Sequence, residues 1–181
     1  MPIGSYAATA PLVQTLIRAH PRSVLDLGMG FGFCGVVVRQ WLDLGVRPWK
    51  TYLVGVEVWS DYRNPVWDLY NAVHVQSIEQ FLASAAETFD CVLLGDVIEH
   101  FEKEAGRRLL KDLRGRVAPR GCLLVATPAQ FFPQGAFCNN EWERHRSLWT
   151  EADFTALGFT VERTGRPDFY CGECLFARWS Q

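Results

Sequence analysis

The 181-residue sequence predicts a doubly wound α/β fold, with one sheet and helices on both of its faces. Three observations support this. Short apolar segments of strand length alternate with segments of helical periodicity. The segment 89–95 is apolar on both faces, which is typical of a buried parallel strand. The length suits one domain, and we expect residues 1–181 to form it.

Seven short apolar segments predict the strands. The first runs directly into a glycine-rich turn, and Pro128 ends the fifth. In chain order the predicted strands are 23–28, 51–58, 72–76, 89–95, 121–127, 159–164 and 173–179.

Apolar residues at helical spacing separate these strands. In the helix that begins near Gly32, they recur at i, i+3, i+4 and i+7, as Cys34, Val37, Val38 and Trp41. The pair Thr150 and Asp153 predicts a capping box that opens the last helix. The other helices are predicted at 11–19, with Leu12, Val13, Leu16 and Ile17 on one face, at 78–85, and at 103–117, ended by Pro119.

Composition excludes several classes of protein. The chain has 18 Lys and Arg against 20 Asp and Glu, a net charge of −2, which argues against a general binder of nucleic acid. No apolar run reaches the ~18 residues of a membrane helix, and the first twenty residues do not resemble a secretory signal. We therefore expect a cytoplasmic protein that binds neither nucleic acid nor membrane.

Two local features have a structural alternative to a functional role. Cys171 and Cys174 form a C-x-x-C pair, but a structural zinc site normally needs about four ligands, and Cys138 and His145 are weak candidates for the others. We expect reduced cysteines and no bound metal. The basic cluster at 107–120 is interpreted as the solvated face of an outer helix.

The segment VLDLGMGFG at 24–32 is the strongest feature of the sequence. Its glycines permit a sharp turn and close approach of a ligand to the backbone, and the helix that follows directs its N–H groups at that ligand. One alternative is a dinucleotide site, since Gly30-x-Gly32-x-x-Gly35 matches the G-x-G-x-x-G pattern. The other is a cationic cofactor, because the Asp26 carboxylate would repel a pyrophosphate and attract an ammonium or sulfonium group. The charge of Asp26 favours the cationic cofactor.

Over roughly residues 20–179, the sequence resembles the class I S-adenosylmethionine-dependent methyltransferases. The resemblance rests on motifs that occur in the family's order: VLDLGMGFG, GVEV, VHVQSIEQF, FDCVLLGDVIEHF and APRGCLLVATP. The Asp-x-x-Glu-His turn at 96–100 is similar to that of ubiquinone-biosynthesis methyltransferases. The resemblance implies a Rossmann-like sheet of seven strands, mainly parallel, with the last strand antiparallel.

The resemblance also implies roles for individual residues around S-adenosylmethionine. Gly28, Gly30 and Gly32 would surround its methionine part, Asp26 would position the amino group, and Glu57 would bind both ribose hydroxyls. The adenine would lie against Ser77 and Ile78, and Asp96 would lie between cofactor and acceptor. Gln76 and Ser77 stand where the family commonly has an acid, which predicts a neutral partner for the adenine amino group.

The expected reaction is methyl transfer to a small-molecule acceptor through an oxygen or carbon nucleophile. The family's nucleic-acid-methylating Asn-Pro-Pro-Tyr signature is absent after the fourth strand. His100 is the candidate general base, because an unperturbed imidazole titrates near neutral pH. His145 lies between Arg144 and Arg146 and is a candidate for orienting an acidic or phenolic acceptor. An insertion at about 129–149 is expected to cap the acceptor. An NAD-dependent oxidoreductase and a non-catalytic, cofactor-binding relative are the competing hypotheses.

Overall fold

The computed structural model describes residues 5–166 and 172–181, which form one seven-stranded sheet with the order β3-β2-β1-β4-β5-β7-β6. The strands β1 to β5 pair in parallel, whereas β7 runs antiparallel to both of its neighbours. The predicted fold class, including its antiparallel last strand, is confirmed. The strands are β1 Ser23–Leu27, β2 Tyr52–Glu57, β3 Ala72–Val75, β4 Phe89–Gly95, β5 Val117–Pro128, β6 Thr160–Gly165 and β7 Glu173–Ser180.

Helices cover both faces because alternate strand residues point to opposite sides of the sheet. Leu25 and Leu27 of β1 pack in one core with α3, α4 and α5, whereas Val24 packs in a second core with α1 and α2. The helices are α1 Thr9–Ala19, α2 Phe33–Leu42, α3 Ile78–Ser84, α4 Lys103–Arg114 and α5 Glu151–Ala156. None of them is long and apolar enough to cross a membrane, in the part of the chain that the structure describes.

The boundary between α4 and β5 differs from the prediction. The helix ends at Arg114, before Gly115, and Pro119 lies inside β5 rather than at the end of a helix. Between the pairs Phe89–Val117 and Cys91–Cys122, two steps along β4 match five along β5. Pro119 lies in this irregular section, where a missing N–H breaks no regular ladder.

The buried face of α2 also differs from the predicted stripe. Trp41 is exposed, as is Ile17 of α1, and the buried face of α2 includes Arg39 instead. The Arg39 guanidinium is 6% exposed and donates to Asp43 at 2.6 Å and to the Thr51 carbonyl at 2.7 Å. A paired and hydrogen-bonded cation can occupy a position that its residue type alone would assign to the surface.

Candidate active site

A cleft lies at the carboxyl ends of β1, β2 and β4, with a volume of about 1250 Å³ when the open solvent at its mouth is included. This is the edge of a doubly wound sheet at which ligands bind. Of the predicted site residues, the cleft is lined by Asp26, Gly28, Gly30, Glu57, Ser77, Ile78, Asp96 and His100. Gly32 and His145 are not among its lining residues.

The glycine-rich turn holds the end of β1 against β2. The N–H groups of Gly28 and Met29 both donate to the Val56 carbonyl, at 2.8 and 3.1 Å. Gly28 has a φ of +67°, and a Cβ there would lie 2.4 Å from Val97 Cγ2. Gly32 caps α2 with a φ of +90°, and a Cβ on it would meet Val66. Gly32 is therefore required by the turn and by packing.

Asp26 is 2% exposed and bound by a tyrosine that sequence reasoning missed. The Tyr70 hydroxyl donates to Asp26 Oδ2 at 2.6 Å and accepts from the Gly35 N–H at 3.0 Å. Burial raises the pKa of the Asp26 carboxyl to about 7, against the lowering effect of the Tyr70 hydrogen bond. Near neutral pH, Asp26 is thus poised between its neutral and charged forms.

Glu57, at the end of β2, is buried and accepts two backbone hydrogen bonds. Gly30 N–H donates to Oε2 at 2.9 Å, and Trp59 N–H donates to Oε1 at 2.8 Å. Burial raises the pKa of this carboxyl, and both backbone donors lower it. The carboxylate joins the glycine-rich turn to the segment that follows β2, and its remaining lone pairs are available to a ligand.

Ser77 and Ile78 lie at the start of α3. Ser77 Oγ accepts from the Gln80 N–H at 3.2 Å, and the Gln80 side chain accepts from the Ser77 N–H at 3.0 Å. This capping box uses the Ser77 side chain for the helix, while the buried Ile78 side chain lines the cleft.

Asp96 follows β4 with a φ of +51° and binds the N-terminal segment. Its carboxylate accepts a 2.6 Å hydrogen bond from Ser5 Oγ and a second from the Ser5 N–H. Burial is the largest cause that raises the pKa of Asp96. Ser5, Ala8, Thr9 and Leu12 also line the cleft, so the short N-terminal segment contributes to it alongside the insertion.

The ring of His100, which lines the cleft, packs against the ring of His145, which does not. Their ring centroids are 4.9 Å apart, although they are 45 residues apart in the chain. Burial lowers the pKa of His100 to about 4, with a further lowering from His145, and burial also lowers the pKa of His145. Both rings are neutral at pH 7, and such a low pKa makes His100 a weak proton acceptor.

Glu99 is a buried acid that sequence reasoning did not single out. Its side chain is 3% exposed, and Oε2 accepts from Thr127 Oγ1 at 3.0 Å. Burial raises its pKa well above the ordinary value. The signal was present in the sequence, since Glu99 immediately precedes His100.

The segment 129–149 leaves the sheet after β5 and returns across the cleft. Asn140, Trp142 and Glu143 line the cleft from this side. The Tyr62 hydroxyl donates to Glu143 at 2.8 Å and accepts from Asn140 Nδ2 at 3.1 Å, which joins the insertion to the segment after β2.

Neither Cys174 nor any residue of the basic cluster at 107–120 lines this cleft. Cys171 lies outside the described residues, and Cys174 is a buried free cysteine of β7. Within the basic cluster, Arg107 pairs with Asp153 at 2.7 Å, while Arg114 and Arg116 donate to backbone carbonyls. These contacts tie α4 to its neighbours in the fold.

Comparison with known proteins gives a family match and several structural neighbours. A family model described as "Methyltransferase domain" matches residues 6–165. No curated protein sequence matches the chain. The N-methyltransferase NodS from Bradyrhizobium japonicum WM9 is 19% identical with a TM-score of 0.64, over 96% of this chain and 93% of that chain.

Two further neighbours come from Burkholderia thailandensis. Its 1,6-didemethyltoxoflavin-N1-methyltransferase, solved with that substrate and S-adenosylhomocysteine, is 21% identical with a TM-score of 0.64, over 97% of this chain and 78% of that chain. An O-methyltransferase family protein is 17% identical with a TM-score of 0.62, over 96% and 56% of the two chains. At these identities, the likeness shows a shared fold.

Proposed function

Because the chain belongs to this methyltransferase domain family, we propose that it transfers a methyl group from S-adenosylmethionine to a small-molecule acceptor. One observation carries the proposal. At the carboxyl ends of β1 and β2, the buried carboxylates of Asp26 and Glu57 flank a turn in which Gly28 and Gly30 have positive φ.

The chemistry of these residues suits S-adenosylmethionine. When bound, this cofactor supplies an electrophilic methyl group on a positively charged sulfur. Its ammonium and sulfonium charges are attracted by carboxylates, and its ribose presents two hydroxyl donors. A dinucleotide would instead bring a pyrophosphate to the same two acids, which disfavours the oxidoreductase alternative.

On the cofactor side, the residues that line the cleft keep their proposed roles, and Gly32 does not. Asp26 would hold the ammonium group and Glu57 the ribose hydroxyls. Ile78 would contact the adenine face, and Ser77, whose side chain caps α3, would approach through its backbone. Asp96 would lie at the boundary with the acceptor. Gly28 and Gly30 would contact the cofactor through the main chain, whereas the role of Gly32 is to form the turn.

On the acceptor side, the chain's contribution is chiefly positioning. Methyl transfer requires nucleophile, methyl and sulfur in line, and a closed cleft that fixes this geometry removes much of the entropic cost. Phe101 and Trp142 supply apolar walls, and His100, whose ring contacts that of His145, supplies a polar group. A mixture of this kind suits a small molecule. The choice of an oxygen or carbon nucleophile rests only on the resemblance of the turn at 96–100 to that of ubiquinone-biosynthesis methyltransferases.

Calorimetry with S-adenosylhomocysteine and, separately, with NADH tests the proposal. We expect the former to bind with 1:1 stoichiometry and the latter not to bind. Glu57→Gln should weaken S-adenosylhomocysteine binding, whereas the control Glu87→Gln, at an exposed acid, should not. Binding of NADH alone would overturn the proposal. Tight cofactor binding without transfer of a labelled methyl group to a panel of phenols, hydroxy acids and amines would favour the non-catalytic relative.

A further inference from the structure

We propose that Glu99, His100 and His145 form a binding site for one divalent transition-metal ion, on the side of the cleft that His100 lines. One potential ligand atom from each residue lies within 4.8 Å of the other two. Two ligands on opposite sides of such an ion are ~4.2 Å apart, since each metal–nitrogen or metal–oxygen bond is ~2.1 Å. A modest side-chain rotation therefore brings the three donors around one ion.

The Glu99 carboxylate provides independent support for a missing cation. Oε1 accepts no hydrogen bond from residues 5–166 or 172–181, although the side chain is 3% exposed. Leaving a buried carboxylate oxygen without a partner is costly, and a metal ion is one of the partners that compensates for this cost. Thr127 holds the other oxygen, which fixes the orientation of the carboxylate.

Both imidazoles are oriented as metal-binding histidines usually are. His145 Nδ1 lies 2.7 Å from the Phe132 carbonyl, and His100 Nδ1 lies 3.3 Å from the Arg144 carbonyl. Because a carbonyl only accepts hydrogen bonds, each Nδ1 carries the proton and each Nε2 keeps a free lone pair. A backbone carbonyl on the second ring nitrogen is a typical outer partner of a ligating histidine.

The backbone holds the two halves of this cluster together. The N–H groups of Arg146 and Ser147 both donate to the Glu99 carbonyl, at 2.8 and 3.1 Å. The Arg146 side chain donates to the His100 carbonyl at 2.8 Å. The residues around His145 are therefore fixed to the turn that carries Glu99 and His100, as a preorganised site requires.

The donor set indicates the class of ion. Two imidazole nitrogens and one carboxylate suit Zn²⁺, Co²⁺, Ni²⁺ or Fe²⁺, whereas Mg²⁺ and Ca²⁺ prefer sites built from oxygen. Three protein ligands leave coordination positions open, and His100, one of the three, lines the cleft. A further step, which rests on the proposed function, is that an acceptor with oxygen donor groups would be drawn to this ion. His100 would then act as a ligand.

Co²⁺ titration of the untagged protein, without cofactor or acceptor, tests the site. We expect one equivalent to bind, with a visible absorption spectrum of nitrogen and oxygen ligation and a rise in melting temperature. Glu99→Gln and His145→Asn should each weaken binding at least tenfold. The Asn side chain can replace the Nδ1 donor to Phe132. The control His20→Asn/His74→Asn removes two exposed histidines and should bind like the wild type.

The Glu99→Gln variant also gives a readout that does not depend on metal. Because glutamine keeps the volume of the side chain and cannot carry the charge for which Oε1 has no partner, the metal-free variant should melt no lower than the metal-free wild type while binding Co²⁺ more weakly. Absence of 1:1 binding to the wild type, unchanged binding in both ligand variants, or loss of binding in the histidine control would overturn the proposal. S-adenosylhomocysteine calorimetry on the same samples separates this failure from failure of the proposed function.

Discussion

The substitution Asp26→Asn should change stability and cofactor affinity in opposite directions. Asp26 is 2% exposed within the sheet, and its side-chain hydrogen-bond donors are neutral: the Tyr70 hydroxyl at 2.6 Å and the Cys34 thiol. A carboxylate in this position loses hydration on folding without gaining a cation. Asparagine keeps the shape and an oxygen acceptor for Tyr70, and it removes the charge.

The size of the effect follows from the pKa. Burial raises the pKa of Asp26 from 3.8 to about 7, a difference of ~3 units or ~4 kcal/mol at 1.36 kcal/mol per unit. Because the pKa of the folded state is the higher one, the folded state binds this proton more tightly than the unfolded state. The contribution is fully present below pH 3.8 and is lost as the pH rises to about 7.

Urea unfolding of the wild type and Asp26→Asn at pH 4 and pH 8 measures this effect. The free energy of unfolding of the variant, relative to the wild type, should increase by ~4 kcal/mol between these pH values. The unpaired amide N–H group of asparagine costs ~1–3 kcal/mol at both pH values, so at pH 8 the variant should still be more stable. Parallel pH dependences of the two proteins would refute the reasoning.

Cofactor binding should respond in the other direction. An ammonium group beside Asp26 favours its charged form, so the affinity of the wild type for S-adenosylhomocysteine should rise between pH 6 and pH 8. Asp26→Asn should lose ~1–3 kcal/mol of binding free energy at pH 8 and most of this pH dependence. A stabilised variant with unchanged affinity would show that Asp26 does not contact the cofactor.

Three other substitutions test the remaining parts of the cofactor site. Glu57→Gln should weaken S-adenosylhomocysteine binding by ~1–3 kcal/mol in calorimetry, because it removes a charged acceptor while keeping the volume. Gly28→Ala should destabilise the fold by more than 1 kcal/mol in urea unfolding, and Val97→Ala should partly rescue it, because the new Cβ meets Val97 at 2.4 Å. Ser77→Ala should lower stability by ~1 kcal/mol and leave S-adenosylhomocysteine affinity unchanged if the hydroxyl acts only as the α3 cap.

The fold could be predicted from the sequence because its signals are local. Strands β1, β2 and β4 are short apolar runs, and Thr150 with Asp153 marks the start of α5 as predicted. The prediction failed where a distant contact decides the outcome. Pro119 belongs to β5 because of an irregular pairing with β4, and Arg39 is buried because Asp43, Thr51 and Leu69 satisfy its donors.

The candidate site also has a part that the sequence predicts and a part that depends on distant contacts. Asp26, Gly28, Gly30 and Glu57 belong to motifs at two adjacent strand ends, and the structure brings them together in one cleft. The partners of the acids come from far along the chain: Tyr70 is 44 residues from Asp26. Ser5 is 91 residues from Asp96, and neither spacing has a pattern that sequence reasoning can recognise.

Acidic side chains are common to the proposed cofactor site and the proposed metal site. Six acids line the cleft or adjoin it within the described chain: Asp26, Glu57, Glu79, Asp96, Glu99 and Glu143. Burial raises the pKa of four of them, and no Lys or Arg is among the described lining residues. Keeping these acids together lowers the stability of the fold as long as the cleft holds no positive charge.

Cations bound at the cofactor site and at the proposed metal site would remove that cost. A sulfonium cofactor beside Asp26 and Glu57 would balance the negative charge of these two acids. A divalent ion at Glu99 would balance the charge of that carboxylate. Each cation would also lower the electrostatic cost of ionising the acids near the other cation. Because both ligands are positively charged, however, they would repel each other directly. If the effect through the acids is larger than the direct repulsion, the stabilisation by S-adenosylmethionine and Co²⁺ together should equal or exceed the sum of their separate effects. If the direct repulsion dominates, each weakens the binding of the other by the same factor, because coupling is reciprocal.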